Sequence, residues 1–180
     1  PGTAKGKMKN ATLIGMELNA MLPAEQRPES TEGYEGFFHL LGMKGEVEES
    51  QLFYIIRDHD MTKFEEKKAV ITAAAGWINA KYGEGTVTLT IRDSYFNMRE
   101  KIEPCMYVVE RAMKAMKNVG MNPVAVPIRG GTDGARLSYM GLPCPNLCTG
   151  GENYHGRFEY IPVEDMEKCV DMLVALMIGL

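Results

Sequence analysis

Two glycine-containing turns near the end of the chain carry the residues whose types and spacing are best suited to chemistry. They span residues 129–134 (RGGTDG) and 150–156 (GGENYHG), and each follows an apolar, strand-like run, at 124–128 and 144–148. Glycine allows the backbone to take positive φ angles and to approach a ligand closely. Because ligands of α/β proteins bind at the carboxyl ends of strands, we predict that both turns line a ligand site.

His155, in the second turn, is the strongest single candidate for a functional side chain. Imidazole is the commonest metal ligand in proteins. A zinc site needs three or four ligands, and no further ligands stand near His155 at a recognisable spacing. A purely structural histidine therefore stays open as the alternative.

The first turn has two interpretations. Gly130 and Gly131 precede a predicted helix, whose N-terminus could bind an anion. The alternative is a simple strand-to-helix turn capped by Thr132 or Asp133, and local sequence favours it. The Gly-Lys-Ser/Thr ending of a P-loop is absent.

Two arginines each end an apolar strand-like run, and either could hold a substrate carboxylate through a bidentate contact. They are Arg57 and Arg129. The alternative for each is an ion pair with a nearby aspartate (Asp58, Asp60 or Asp133). His39 and His59 flank strands and are expected at the surface.

Composition excludes several classes of protein. The net charge is −4 with no long Lys/Arg block, which argues against binding to a nucleic-acid backbone. No apolar run approaches the ~18 residues of a membrane span. The four cysteines lack CxxC spacing, so we expect reduced, buried thiols in a cytoplasmic setting. Metal binding by Cys144 and Cys148 is disfavoured, because a strand flanked by prolines directs the two thiols poorly towards one ion.

The first half of the chain predicts helix, strand, strand, helix, strand. The helices cover residues 4–22 and 62–82, the second with Thr62 as N-cap. The strands cover residues 37–43, 51–58 and 86–93. A further strand before Pro1 would complete βαββαβ, the split ferredoxin-like unit.

The second half alternates helices and strands, which predicts part of a parallel α/β sheet. Helices are expected at 105–119, 133–140 and 163–178, and strands at 124–128 and 145–149.

Six segments spread along the chain form long, specific motifs. They are residues 1–6 (PGTAKG), 31–37 (TEGYEGF), 54–58 (YIIRD), 93–100 (DSYFNMRE), 127–135 (PIRGGTDGA) and 150–156 (GGENYHG). Together they resemble the tripeptide aminopeptidases of the peptidase T family, which are di-zinc metallopeptidases with an inserted lid domain. The resemblance runs the length of the chain.

This resemblance implies a division into two parts. Residues 1–98 correspond to the lid or dimerisation domain without its first strand, and residues 99–180 to the C-terminal part of the catalytic α/β domain. The N-terminal part of that family's catalytic domain, with most metal ligands and the catalytic glutamate, has no counterpart here. The resemblance therefore implies a fragment that is inactive by itself, from a cytoplasmic, homodimeric enzyme with two zinc ions per subunit.

The resemblance also implies roles for five residues. His155 matches the family's C-terminal zinc ligand, and Arg57 matches a lid arginine that grips the substrate carboxylate. Asn97 and Arg129 fall at positions lining the substrate site, and Asp133 is implied to be structural. Two other functions stay open: a non-catalytic dimerisation or lid module, and an anion-binding α/β domain built on the Gly130–Gly131 turn.

Overall fold

The structure is a computed structural model that describes residues 2–94 and 96–179. The chain divides into two compact units, an N-terminal unit of residues 1–93 and a C-terminal unit of residues 94–180.

The N-terminal unit is built on one antiparallel hairpin. Strand β1 (Phe37–Gly45) pairs with β2 (Ser50–Arg57), from Phe37 opposite Arg57 to Gly45 opposite Ser50, with a bulge between Leu40 and Gly42. The predicted strands at 37–43 and 51–58 are thus confirmed. Both runs are rich in aromatic and aliphatic residues, which favour a half-buried strand.

Two helices pack against β2 and against each other, α1 (Ala11–Ala20) and α2 (Met61–Tyr82). Their contact buries an apolar cluster of Ile14, Leu18, Ala75 and Ile78. The Glu17 carboxylate on α1 accepts hydrogen bonds from the Lys81 ammonium and the Tyr82 hydroxyl on α2. The Lys81 bond is the main reason that the pKa of Glu17 is lowered, and Tyr82 adds to it.

The helix starts differ from the prediction in two places. Helix α1 begins at Ala11 rather than near residue 4, because the Asn10 side chain caps it by accepting the Leu13 N–H at 3.2 Å. Helix α2 begins at Met61, and its N-cap is Asp60, which accepts the Lys63 N–H at 3.0 Å. The prediction of Thr62 as the cap was wrong, because the helix already begins at Met61 and Thr62 lies within its first turn.

The strand predicted at residues 86–93 is also wrong, because no strand is assigned there. A strand needs a neighbour to complete its ladder, and within the described ranges only β1 and β2 form one. Side chains of α2 hold this segment instead. The Asn79 amide exchanges two hydrogen bonds with the Val87 backbone, at 2.7 and 3.0 Å. Lys68 pairs with Asp93 at its far end.

The described residues of the C-terminal unit form four α-helices: α3 (Arg99–Ile102), α4 (Tyr107–Asn118), α5 (Asp133–Tyr139) and α6 (Val163–Ile178). Helices α4 and α6 pack together, and each turns small or flexible apolar residues inward. The buried ones are Ala112, Ala115, Met116, Met172 and Ala175. The bounds predicted for α6 are confirmed. Helix α4 begins later than the predicted residue 105, after a 3₁₀ turn at Glu103–Cys105.

Two strands predicted in this unit, at 124–128 and 145–149, are wrong for the same reason as the first. Among the described residues, no neighbouring strand covers their apolar side chains, and Val124 is 72% exposed. Cysteine burial also differs from the expectation: Cys148 is exposed, and Cys105, Cys144 and Cys169 are half-buried. The chain therefore combines helices with a small antiparallel sheet, and the ferredoxin-like lid stays a prediction.

One buried ion pair gives a test of what holds the N-terminal unit. The Lys67 ammonium lies 2.9 Å from the Asp58 carboxylate, and their side chains are 11% and 2% exposed. Lys67→Met should lower the free energy of unfolding by about 3–5 kcal/mol, because it leaves a buried carboxylate without its counter-charge. Urea denaturation measures this loss.

Lys63→Met, on the exposed face of the same helix, is the matched control and should change stability by less than about 0.5 kcal/mol. Adding Asp58→Asn to Lys67→Met should recover part of the loss. Equal stability of Lys67→Met and Lys63→Met would show that the ion pair contributes nothing to the free energy of unfolding.

Candidate functional site

Arg57 is the last residue of β2 and pairs with Phe37, the first residue of β1. It is half-buried, and the hairpin fixes its backbone at the point where the strand ends. The structure thus places Arg57 where the sequence predicts it, at the end of an apolar strand.

The aspartates considered as partners of Arg57 have other contacts. Asp58 pairs with Lys67 and also accepts the Asp60 N–H at 3.0 Å. Asp60 caps α2. The strand end is packed so closely that a Cβ on Gly36 would lie 2.1 Å from an Asp58 carboxylate oxygen. Sequence reasoning missed Lys67, although its position nine residues after Asp58, early in a helix, was a usable signal.

His59 and His39 have different surroundings. His39 is exposed, as predicted, whereas His59 is half-buried. The His59 ring packs edge-on against Tyr34, with ring centres 5.2 Å apart, and its Nδ1 lies 3.3 Å from the Tyr34 carbonyl. His59 thus helps to fix the loop before β1.

The turn that carries His155 is a closed loop. An antiparallel bridge between Glu152 and Tyr160 ties its two ends, with backbone hydrogen bonds of 2.9 and 3.2 Å. At its entry Gly150 has φ +76°, and a Cβ there would lie 2.4 Å from the Asp165 side chain of α6. Only glycine fits that position without displacing α6.

His155 itself is exposed and has φ +64°, in the left-handed region that non-glycine residues rarely adopt. The backbone N–H of His155 donates to the Glu159 carboxylate at 2.8 Å, and this hydrogen bond holds the backbone in the left-handed conformation. Asn153, two residues earlier, also has a positive φ, of 56°. Strained residues of this kind cluster at functional sites. The backbone conformation of His155 therefore strengthens the case that its sequence position makes for a functional role.

The described residues do not complete a metal site. No group of three or more His, Cys, Asp or Glu side chains within 2–94 and 96–179 is arranged to hold a metal ion. His155 would supply one ligand, whereas zinc takes three or four. No catalytic step through a metal is therefore derived from these residues.

The first glycine turn leads directly into α5. The Thr132 hydroxyl accepts the Ala135 N–H at 3.4 Å and also the Asn146 side-chain amide at 3.1 Å. This confirms Thr132 as the N-cap. Since the Ala135 N–H already donates to the Thr132 oxygen, the turn fits a capped helix start better than an anion cradle. Arg129 precedes the turn and is half-buried, and Asp133 is the first residue of α5.

Asn97 lies beside the start of α3, where its side-chain oxygen accepts the Arg99 N–H at 2.9 Å. Its carbonyl accepts the Tyr139 hydroxyl at 3.1 Å. Desolvation, with a smaller contribution from Glu100, raises the pKa of Tyr139 to about 12. Tyr139 therefore stays a neutral hydrogen-bond donor and positions Asn97; sequence reasoning did not identify it.

The four predicted site residues fall in both units. Arg57 belongs to the N-terminal unit, and Asn97, Arg129 and His155 belong to the C-terminal unit. Each has a defined local setting. Their roles in substrate and metal binding stay predictions.

Within the described part of the chain, no helix combines the length and the apolar character needed to cross a membrane.

Comparisons with known proteins identify the family of this chain. The model of peptidase family M20/M25/M40 matches residues 14–178, and the chain therefore belongs to this family.

Within the family, the chain is similar to proteins named peptidase T. It is 60% identical to the one from Alkaliphilus oremlandii, 58% to that from Caldanaerobacter subterraneus and 56% to that from Bacillus licheniformis, each over 176 residues. These matches cover 98% of this chain and 43% of each relative. The chain thus spans less than half the length of the relatives it matches.

The fold of this chain is similar to part of a solved structure. A tripeptidase from Staphylococcus aureus aligns with a TM-score of 0.62 at 14% identity, over 94% of this chain and 46% of that protein. At this identity the likeness concerns the fold alone.

Proposed function

We propose that these residues act within a zinc-dependent aminopeptidase that removes the N-terminal residue from tripeptides. The observation that carries the proposal is the 55–60% identity to proteins named peptidase T over nearly the whole chain. The family match and the fold of a tripeptidase support it.

In this proposal the chain supplies binding and positioning groups, and the remaining metal ligands lie outside it. Residues 1–98 act as the lid and dimerisation domain, and residues 99–180 as the C-terminal part of the catalytic domain. Two zinc ions, one held in part by His155, would supply a hydroxide and polarise the scissile carbonyl. A glutamate outside these residues acts as general base, in a cytoplasmic homodimer.

For the isolated chain we propose a non-catalytic lid or dimerisation module. The supporting observation is that the described residues supply no group of metal ligands. The isolated 180-residue chain should therefore hydrolyse no tripeptide, even with zinc added. The assay is release of the N-terminal amino acid from trileucine.

The comparison for that assay is the same chain joined to the N-terminal residues that its relatives carry, which should cleave trileucine. Chelator-sensitive turnover by the isolated chain would contradict the modular interpretation. A longer protein that stays inactive with bound zinc would contradict the peptidase proposal.

His155→Ala in that longer protein should lower the occupancy of one zinc ion and reduce kcat strongly. Its effect on stability should be smaller, because the side chain is exposed. Metal analysis and steady-state kinetics measure the two effects. Arg157→Ala, an exposed neighbour in the same loop, is the control and should change neither. An unchanged metal content in His155→Ala would show that His155 is a structural residue and not a zinc ligand.

Arg57→Ala should lower kcat/KM for a free-acid tripeptide roughly ten- to hundred-fold, because a hydrogen-bonded charge pair contributes ~1.5–3 kcal/mol. Arg57→Lys should recover little, since an ammonium cannot make the bidentate contact. A C-terminally amidated tripeptide should be a poor substrate of the wild type and lose little more on substitution.

Arg92→Ala, exposed in the same unit, serves as the control for lost positive charge and should leave kcat/KM unchanged. If the wild type cleaves the amide and the free acid equally well, Arg57 does not bind the carboxylate.

A further inference from the structure

Two cysteines of the C-terminal unit lie side by side. Cys169 belongs to α6, and its Sγ donates a hydrogen bond to the carbonyl oxygen of Cys148 at 3.6 Å. Cys148 is the last residue of the apolar run that precedes the loop with His155. Because the two cysteines are 21 positions apart, their contact is produced by the fold and not by local sequence.

A second contact shows how closely the same segment passes α6. A Cβ on Gly150 would lie 2.4 Å from the Asp165 Cβ and 3.5 Å from its Cα. Asp165 and Cys169, four residues apart, share one face of α6. Four residues of helix span ~6 Å, and two residues of extended chain span roughly 6.6–7.2 Å. Both contacts therefore fit one stretch in which residues 148–150 run antiparallel to α6.

This close approach suits a cross-link between the two cysteines. A disulfide needs two backbones whose α-carbons lie ~4.4–6.8 Å apart, and here the Cys169 thiol already contacts the backbone of Cys148. Burial raises the pKa of the Cys169 thiol, and charge repulsion from Cys148 and a side-chain hydrogen bond with Cys148 add to the shift. That hydrogen bond joins the two side chains directly.

The two thiols differ in their access to a reagent. Cys148 is exposed, whereas Cys169 is half-buried. The thiolate is the nucleophile of cysteine chemistry, and the raised pKa of Cys169 keeps that thiol protonated at neutral pH. A small reagent should therefore react first with Cys148, and Cys169 then lies in position to displace it.

We propose that Cys148 and Cys169 form a reversible disulfide in exchange with a small-molecule disulfide such as oxidised glutathione. The Cys148 thiolate attacks one sulfur of the oxidant, whose S–S bond breaks, and the first glutathione leaves as a thiolate that takes up a proton. Cys169 loses its proton to solvent and its thiolate attacks the Cys148 sulfur, which releases the second glutathione. Two protein thiols are oxidised, and one molecule of oxidised glutathione is reduced to two thiols.

The disulfide would fasten the entry of the loop with His155 to α6. Just after Cys148, the Thr149 and Tyr154 hydroxyls lie within hydrogen-bond distance, at 2.8 Å, so the cross-link would restrain a segment that already contacts the loop. Disulfides in reducing compartments are usually transient and redox-sensing. The inference does not depend on peptidase activity or on metal binding, because covalent chemistry alone tests it.

The test uses the protein as expressed from its own gene, first reduced and then incubated with oxidised glutathione, alkylated, digested with trypsin and analysed by mass spectrometry. Trypsin separates residues 137–157, which contain Cys144 and Cys148, from the peptide that begins at Cys169. These two peptides should be joined, and dithiothreitol should separate them. The native protein should give roughly tenfold more of the joined pair than the protein in urea, because the fold holds the thiols together. No joined pair, or equal yields in the two conditions, overturns the proposal.

Two variants identify the sulfur that reacts. Cys148→Ser should abolish the joined pair, and Cys144→Ser, the matched control in the same tryptic peptide, should leave its yield unchanged. The opposite result assigns the bond to Cys144 and overturns the proposal. Fragment-ion sequencing of the wild-type pair makes the same assignment should Cys148→Ser fail to fold.

Thermal melting tests whether the bond fits the native fold. The oxidised protein should melt at a higher temperature than the reduced protein, because the cross-link restricts the unfolded chain. Cys148→Ser, treated in the same way, should show no such difference. A lower melting temperature of the oxidised protein would mean that the bond displaces the segment from α6, and this result overturns the proposal.

Discussion

The end of the N-terminal unit that carries Arg57 depends on one constraint, the buried ion pair between Asp58 and Lys67. Asp58 follows β2 directly and Lys67 lies in the second turn of α2, so one contact joins the strand end to the helix. The same carboxylate accepts the Asp60 N–H, and Asp60 caps the helix. Since a buried charge is tolerated only with such partners, the strand end, the turn and the helix start are fixed together. Arg57 is held at the edge of this arrangement.

The C-terminal unit positions its main candidate by a different physical means. The loop around His155 is held by a backbone bridge and by the Glu159 carboxylate rather than by a buried charge. Asn153 and His155 both adopt positive φ angles, and each such residue costs on the order of 1–3 kcal/mol. A loop that keeps this strain has contacts that over-determine its shape, and this fixes the backbone from which the His155 side chain projects.

Local signals predicted the helices well, and non-local contacts explain the errors. The bounds of α6 and the capping role of Thr132 follow from periodicity and from side-chain chemistry within a few residues. The segment at 86–93 has equally clear alternation, but a strand also requires a partner, which no local pattern reveals. For the same reason Arg57 and His155 could be located from the sequence, whereas the contacts of Lys67 with Asp58 and of Tyr139 with Asn97 were missed.

Selection of tripeptides would require two groups at a fixed separation. An extended chain advances ~3.3–3.6 Å per residue. The distance from the C-terminal carboxylate to the scissile bond therefore differs by that much between a tripeptide and a dipeptide, and the separation of the arginine from the reacting centre must match only one of them. A hydrogen bond weakens steeply over a small fraction of that distance. The proposed roles therefore demand a rigid support for each group. The buried pair at Asp58 and the bridged loop at His155 have the physical character of such supports.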